Sequence, residues 1–456
     1  MTLPERGRIH FIGVGGAGMS AIAKVLIERG HEVSGSDMRE SRATAALSDM
    51  GAHVTIGHDP TLVDGASAIV YSSAVKEKNS ELVAARSARV MVLHRGEALA
   101  SLLSGSRSIV VAGTHGKTTT ASMVLSILKS AGFDPTHVIG GALEGVPINA
   151  GNGVDDVAVV ESDESDGSFL LLDPTIAVIT NIEPDHLDHW GSLMAIEEAF
   201  QSFIATADCA VVRSDDKVAR GVADHRSGLR LVTYGDGGEI SAGEVLLQAH
   251  STIFVLVSSE TRAPVHLGVP GHHNLLNALA AAAACLSFGV GTEGVAAGLG
   301  AFTRVERRYQ LRGEKSNITV IDDYAHHPTE IAAALSAARL GPWRRVIAVF
   351  QPHLFSRTRA LRAEFGGAFG EADLVVVTDV YAAREEPVPG VSGKSISDAV
   401  SECLFGRPVA YVPERRELLA YLVARARPGD LVLTLGAGDI TTLADELLEA
   451  LDVEAA

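Results

Sequence analysis

The chain has 456 residues, 46% of them hydrophobic, which is more than one core usually serves and calls for two or three domains of roughly 100 to 200 residues each. Against 56 Asp and Glu stand only 38 Lys and Arg; the formal charge of −18 argues against a broad nucleic-acid surface and means that anionic substrates need locally positive sites. Cys209, Cys285 and Cys403 form no C-x-x-C pair, so neither a zinc cluster nor a disulfide framework is expected, and no apolar run reaches the roughly 20 residues of a membrane span; the expectation is a cytoplasmic protein with ordinary buried thiols and no membrane insertion.

Apolar β-type runs alternate with helical patterns almost throughout, which predicts an α/β chain with parallel sheets covered on both faces, arranged as three domains. The first, residues 1–105, holds RIHFIGV, HEVSGSD, HVTIG, AIVYSSAV and RVMVLHR and reads as Rossmann-like. Within FIGVGGAGMSAIA, Gly13, Gly15 and Gly18 satisfy G-x-G-x-x-G after an apolar run (9–14) and before a helical pattern (19–27), a turn that lets a helix N-terminus approach a pyrophosphate. Asp37 follows about 20 residues on, where a dinucleotide site has its ribose carboxylate, so an NAD-dependent oxidoreductase is one reading. The Ser/Gly-rich residues 101–108 read as the first linker.

The second domain, residues 106–313, opens with SIVVAGTHGKTTTASMVL: an apolar strand, the loop Gly113, Thr114, His115, Gly116, and a helix beginning at Thr118 or Thr119. Backbone N–H groups of such a loop surround phosphate oxygens, Lys117 reaches the terminal phosphates, and a Thr118 or Thr119 hydroxyl can ligate Mg2+. Val111 stands where the standard phosphate loop has its first Gly, so the site is a shorter variant. The next strand ends in ESDESD, with Glu161, Asp163, Glu164 and Asp166 together. At an effective dielectric of about 20, like unit charges ~4 Å apart repel by about 4 kcal/mol, so Mg2+ is expected between these acids. In TNIEPDHLDHW, the residues Asp185, His186, Asp188 and His189 are either a zinc cluster or the source of one group, His186 foremost, that completes the Mg2+ environment. An irregular β-rich insertion (231–267) and an Ala-rich buried helix (275–290) follow. The third domain, residues 314–456, carries NITVIDD, RVIAVF, DLVVVTD, PVAYV and DLVLTL and is again Rossmann-like.

Nine stretches in this order, GVGGAGMS, GTHGKTTT, ESDESDGSF, TNIEPDHLDH, GHHNLLNA, RVERRYQ, DDYAHHPTE, FQPHLFSRT and LGAGD, resemble the ATP-dependent Mur ligases of peptidoglycan synthesis over nearly the whole chain. The resemblance implies a central phosphate-loop ATP domain in which Lys117 contacts ATP phosphates and Thr118, Glu161 and His186 surround Mg2+. It implies that His273 and Asn274 lie on the adenine side and that Arg308 and Asp322 contact the nucleotide. Tyr324, His326 and Arg357 match the region that holds the incoming amino acid. The glycine turn then holds the diphosphate of a UDP-sugar, with Gly15, Gly16, Gly18, Met19, Ser20, Ser72, Ser73, His94 and Arg95 on that substrate and Asp37 either near its uridine half or a plain strand-end residue. The implied partners are UDP-N-acetylmuramate and L-alanine, the implied state a monomer or homodimer, and the implied route an acyl phosphate attacked by an amine whose proton passes to His326 or the acidic cluster.

Later members of the family carry a carbamylated lysine shortly after the histidine, and this chain has no lysine between Asn181 and Asp216, which favours the alanine-adding member. Two departures stand out. Leu354 occupies a position where many relatives carry Arg, so one cationic contact to the amino-acid carboxylate is either missing or supplied by Arg357 or Arg359, and Arg304 replaces a frequent Gly in the hinge motif, putting flexibility there in doubt. The third domain is expected to close through a short segment at 312–315. A tripeptide-recycling ligase, an oxidoreductase and a non-catalytic binding protein remain as alternatives.

Overall fold

The computed structural model describes residues 2–143, 145–224, 228–259, 261–383 and 385–453. Four sheets organise it. In the first, the strands His53–Ile56, Glu32–Asp37, Arg8–Ile12, Ala66–Tyr71 and Met91–His94 lie in that order, all parallel, so chain direction across the sheet reverses between Arg8–Ile12 and Ala66–Tyr71. A reversal of this kind opens a crevice at the C-terminal strand ends, where ligands of open α/β sheets bind. The second sheet runs Arg230–Tyr234, Cys209–Arg213, Ile176–Ile179, Arg107–Ala112, Val157–Glu161, Thr136–Val138 and Ala150–Gly151, parallel except for the last pair. The expected insertion is a three-stranded sheet (Ser241–Leu247, Thr252–Val257, Arg262–Leu267), while Arg230–Tyr234 belongs to the central sheet as its edge.

The fourth sheet, Gln310–Lys315, Ile318–Asp323, Asp430–Leu435, Arg345–Phe350, Leu374–Val377 and Val409–Tyr411, is parallel after its antiparallel first pair. Its strands show why they read as unbroken apolar runs. Ile321, Ala348, Phe350 and Leu433 pack into a cluster on one face, and Val320, Val349, Val376 and Val432 into a cluster on the other, so the strands Ile318–Asp323, Leu374–Val377 and Asp430–Leu435 are buried at every position.

Two expectations about the joins change here. Residues 312–315 are not a free connection: they lie in the strand Gln310–Lys315, paired with Ile318–Asp323. The first linker shrinks to 104–106, because the helix Arg95–Leu103 and the strand Arg107–Ala112 take up the rest. By contact density the chain forms two compact units, one of Met1–Val245, Ile253–Leu267 and Asn274–Val305, the other of Leu246–Thr252, Gly268–His273 and Glu306–Ala456. The first unit contains both large N-terminal sheets, and one apolar cluster runs through it from Phe11 and Val25 by way of Leu102 to Phe169, Phe200 and Phe203. The Ala-rich segment is the helix His272–Phe288, whose residues Ala278 to Cys285 are all buried. Cys209 and Cys285 are buried free thiols as expected; Cys403 is exposed, because it ends the helix Gly393–Cys403. Among the described residues no helix is long and apolar enough to cross a membrane.

One packing detail gives a measurable pH dependence. His137 sits opposite Gly151, and a Cβ on that glycine would come 2.7 Å from the His137 ring. Burial, with Lys129 nearby, pushes His137 from 6.5 down to about 4. Between those values the unfolded chain binds a proton that the folded chain refuses, so the stability contributed by the neutral ring is complete above 6.5 and is lost as the pH falls toward 4. The stability difference between wild type and His137→Gln is expected to shift against the wild type by roughly 1–3 kcal/mol over that range in urea titrations; a constant difference would contradict the assignment.

Candidate active site

The glycine turn is built by the end of the strand Glu32–Asp37. Ser36 O accepts the N–H groups of Gly13 (2.8 Å) and Val14 (3.0 Å), and Asp37 Oδ2 accepts the N–H of Gly15 at 2.8 Å. Asp37 therefore clasps the turn, a third role beside the two expected of it. Gly16 caps the helix Ala17–Glu28 without a side chain, leaving its first turn bare of acids. Met19 and Ser20 depart from expectation: both side chains are buried, and Ser20 Oγ donates to Ala17 O, so they pack the helix and present no side chain to a substrate.

Across the sheet's reversal, the expected UDP-sugar residues converge. His94 caps the helix Arg95–Leu103: its Nδ1 accepts from Gly96 N, which leaves the proton on Nε2, 2.9 Å from Ser73 Oγ. Burial holds His94 below its ordinary value, in keeping with a neutral ring. Ser73 Oγ in turn donates to Asp166. Arg95 reaches Asp166 at 2.7 Å and Asp163 at 3.1 Å, and a Cβ on Gly18 would stand 3.3 Å from its guanidinium. Burial works against Asp166 and Asp163, but Arg95 acts on both and Lys117 on Asp163, and the balance keeps both carboxyls below the ordinary range.

The four acids, which read as repelling neighbours in the sequence, have separate partners within the protein. Asp163 and Asp166 face Arg95, Glu164 faces Lys117, and Glu161 takes Thr118 Oγ1 (2.6 Å) and Gly140 N (2.6 Å). Replacing Arg95 by Met leaves two partly buried aspartates without their cation, and the expected loss is about 3 kcal/mol, read as a fall in melting temperature. Adding Asp166→Asn should recover more than half of that loss; no recovery would mean the pair is not what Arg95 supports.

The phosphate loop follows the strand Arg107–Ala112. Gly113 (φ +129) and Gly116 (φ +79) take backbone angles that favour glycine, and a Cβ at either would collide, with the Thr180 hydroxyl in the first case and with Asn277 in the second. The TNIE segment moulds the loop from outside. Asn181 O accepts Thr114 N (3.0 Å), Asn181 Oδ1 accepts His115 N (2.9 Å), and Thr180 Oγ1 donates to His115 O (2.6 Å). The helix begins at Lys117, one or two residues earlier than read from sequence, with Thr118 and Thr119 buried in its first turn.

Thr118 Oγ1, in the first turn of the helix after the strand Arg107–Ala112, and Glu161 Oε1, at the end of the neighbouring strand Val157–Glu161, are two hard oxygen donors already in contact, and this chemistry fits Mg2+. His186, with a left-handed backbone (φ 51), caps the short helix Leu187–Trp190, and its Nε2 lies 3.6 Å from Asp185. His189 lies edge-on to Trp190 at 4.7 Å, and the Asp188 side chain lies outside the described residues. Asn274 is buried, and Asn277, given no role in the sequence analysis, abuts Gly116 and takes Thr120 Oγ1 at 3.3 Å.

In the second unit, Asp322 is wholly buried among Thr434 Oγ1 (2.7 Å), Thr441 Oγ1 (2.7 Å) and Arg307 Nε (3.3 Å), so its partner is Arg307 and not Arg308. Arg308 meets Glu330 at 3.5 Å and lies 5.2 Å from the Tyr324 ring centre. Burial, with Arg308 beside it, pushes His273 down to about 4. The backbone demand of the hinge motif falls on Arg307 (φ 58) and Tyr309 (φ 48), held by Asp323 Oδ2 on Tyr309 N at 2.7 Å, so the sequence position of Arg304 needs no glycine.

Tyr324, His326 and Arg357 do come together, through two residues that sequence reading left out. Ring contacts run from Tyr324 to His326 (5.3 Å), to His353 (6.0 Å) and to Tyr381 (5.8 Å, stacked), and Arg357 lies 3.4 Å from His353 Nδ1. Leu354, at φ 69, is buried as the cap of the helix Phe355–Ala360; Arg359 is exposed, and of the cations on that helix Arg357 is the one beside the His353 ring. His326 Nδ1 sits 3.0 Å from Tyr324 O, an acceptor only, so Nδ1 carries the proton and Nε2 is the basic nitrogen.

A glycine turn at a sheet reversal, a phosphate loop with a lysine and paired oxygens, and a row of rings with an arginine beside it are the parts of an ATP-dependent ligase assembled from three α/β domains. The sequence matches the Mur ligase family catalytic domain at residues 8–107, the Mur ligase middle domain at 111–285 and the Mur ligase glutamate ligase domain at 307–438, and the chain belongs to the Mur ligase family. Among its relatives, the UDP-N-acetylmuramate--L-alanine ligase of Rubrobacter xylanophilus is 48% identical over 97% of this chain and all of its own length. The ligase of the same name from Renibacterium salmoninarum is 46% identical over 99% of this chain and 97% of its own. The crystal structure of the UDP-N-acetylmuramate-alanine ligase of Thermotoga maritima superposes with a TM-score of 0.83 at 31% identity, covering 98% of this chain and 100% of that one.

Proposed function

We propose that this chain joins L-alanine to the lactyl carboxylate of UDP-N-acetylmuramate at the expense of ATP, in the cytoplasm. The observation that carries the reading is the phosphate loop on which Lys117 and the 2.6 Å Thr118–Glu161 oxygen pair stand together. Residues 1–105 take the UDP-sugar, with its diphosphate on the glycine turn and Arg95. The ATP domain is read as 106–313 and the amino-acid domain as 314–456; the place of Gln310–Lys315 in the six-stranded sheet favours starting the latter nearer 306.

In the proposed reaction the lactyl carboxylate oxygen attacks the γ-phosphorus, the bond to ADP breaks, and an acyl phosphate forms. The alanine amine then attacks the acyl carbon, inorganic phosphate leaves with its bonding electrons, and the ammonium proton passes to a base. Such transfer needs positioning and charge neutralisation more than a protein nucleophile. Lys117 supplies the cation, and Thr118, Glu161 and His186 would hold Mg2+, which when bound screens the phosphate charge. Arg357 holds the alanine carboxylate, and His326 Nε2 accepts the proton, directly or through a water.

The test is ATP-dependent phosphate release with UDP-N-acetylmuramate and a panel of L-Ala, Gly, L-Ser, D-Glu and L-Ala-γ-D-Glu-diaminopimelate. Release with L-Ala is expected. Release with the tripeptide alone would assign the chain to recycling, and no ATP turnover with any acceptor would overturn the reading.

A further inference from the structure

Lys117 is fully engaged by groups of the protein itself. An ammonium has three N–H donors. Those of Lys117 face Gly113 O at 2.7 Å, Thr114 O at 3.2 Å and the Glu164 carboxylate, at 3.1 Å to Oε1 and 2.8 Å to Oε2. For a phosphate oxygen to receive a hydrogen from Lys117, one of these three must let go. Two are main-chain carbonyls of a loop that Thr180, Asn181 and Asn277 already confine. Glu164 is the only one of the three that is a side chain.

From this geometry we infer that Glu164 is a positioning residue that competes with the ATP phosphates for Lys117: it holds the lysine over the phosphate loop and gives it up when the nucleotide binds. The inference rests on the reading of this loop as the ATP site. Glu164 is suited to the exchange. Its side chain is buried, and among the described residues no donor is aligned for a hydrogen bond on Oε2 despite the short separation from Lys117. Its main-chain oxygen accepts the Trp190 indole N–H at 3.0 Å, so the backbone stays fixed while the side chain exchanges partners. Burial together with Asp163 already pushes its carboxyl up to about 7 against the pull of Lys117, so a proton can take the lysine's place. The device makes nucleotide binding weaker than an uncontested lysine would, and keeps the ammonium charged and aimed.

The experiment is calorimetric titration of a non-hydrolysable ATP analogue with Mg2+ into the full-length protein, run on wild type, Glu164→Gln, Lys117→Ala and the double variant. Glu164→Gln is expected to bind the analogue about five- to tenfold more tightly while its kcat for phosphate release falls, a split that loss of structure would not produce. Glu164→Asp, which keeps the charge on a shorter arm, should fall between the two in affinity. In the Lys117→Ala background the Glu164→Gln gain should vanish. Unchanged or weaker binding by Glu164→Gln overturns the proposal, as does a gain that persists without Lys117, which would mean plain repulsion between carboxylate and phosphate. If wild type binds no analogue at all, it is the ATP reading that fails.

Discussion

Lys117→Ala is expected to lower ATP-dependent phosphate release by at least about a thousandfold, the scale on which a preorganised charge at a reacting centre is felt. Binding of UDP-N-acetylmuramate by calorimetry should stay within about twofold of wild type, because the UDP-sugar contacts proposed for Ser73, His94 and Arg95 do not pass through Lys117. The fold should survive as well. A carboxylate that loses a buried partner usually costs several kcal/mol, yet Glu164 already stands at about 7 and becomes neutral when the lysine is gone. Parallel loss of phosphate release and UDP-sugar binding would refute this division of labour.

The second large effect is expected at Arg357. Of the cations on its helix it is the one beside the His353 ring, since Leu354 is neutral and Arg359 is exposed. Arg357→Ala should raise the KM for L-alanine about a hundredfold, the loss of one strong charge-assisted contact, and leave the KM for ATP within about twofold. Arg359→Ala serves as the control and should behave as wild type. An equal effect of the two variants would show that Leu354 has shifted the carboxylate contact to another part of the helix.

Much of this architecture was readable from residue order. Strands that pack on both faces carry unbroken apolar runs, and glycine spacing marks the points where a helix N-terminus must come close to a ligand, so the sheets and both loops announce themselves. The partners of charged groups do not. ESDESD reads as four repelling acids because its cations are far away in the chain: Arg95 lies 71 residues before Asp166, and Lys117 lies 47 before Glu164. Arg307 and Arg308 are adjacent and chemically alike, and only the fold assigns Asp322 to the first and Glu330 to the second. His353 and Tyr381 belong to different loops whose meeting depends on the parallel register of Arg345–Phe350 and Leu374–Val377. Asn277 hides in a helix whose alanines speak only of burial.

The acidic segment sets a length. Glu161 belongs to the phosphate loop's oxygen pair and Asp166 to Arg95, and five residues of chain, fully extended, span at most about 18 Å. In the proposed reaction, the two ends of a substrate reaching from the glycine turn to the γ-phosphate would thus be gauged by a single stretch of backbone inside one compact unit. A sugar nucleotide cut short before its carboxylate would still satisfy Arg95 yet leave the phosphorus with nothing to meet. Such fragments should act as competitive ligands that never turn over.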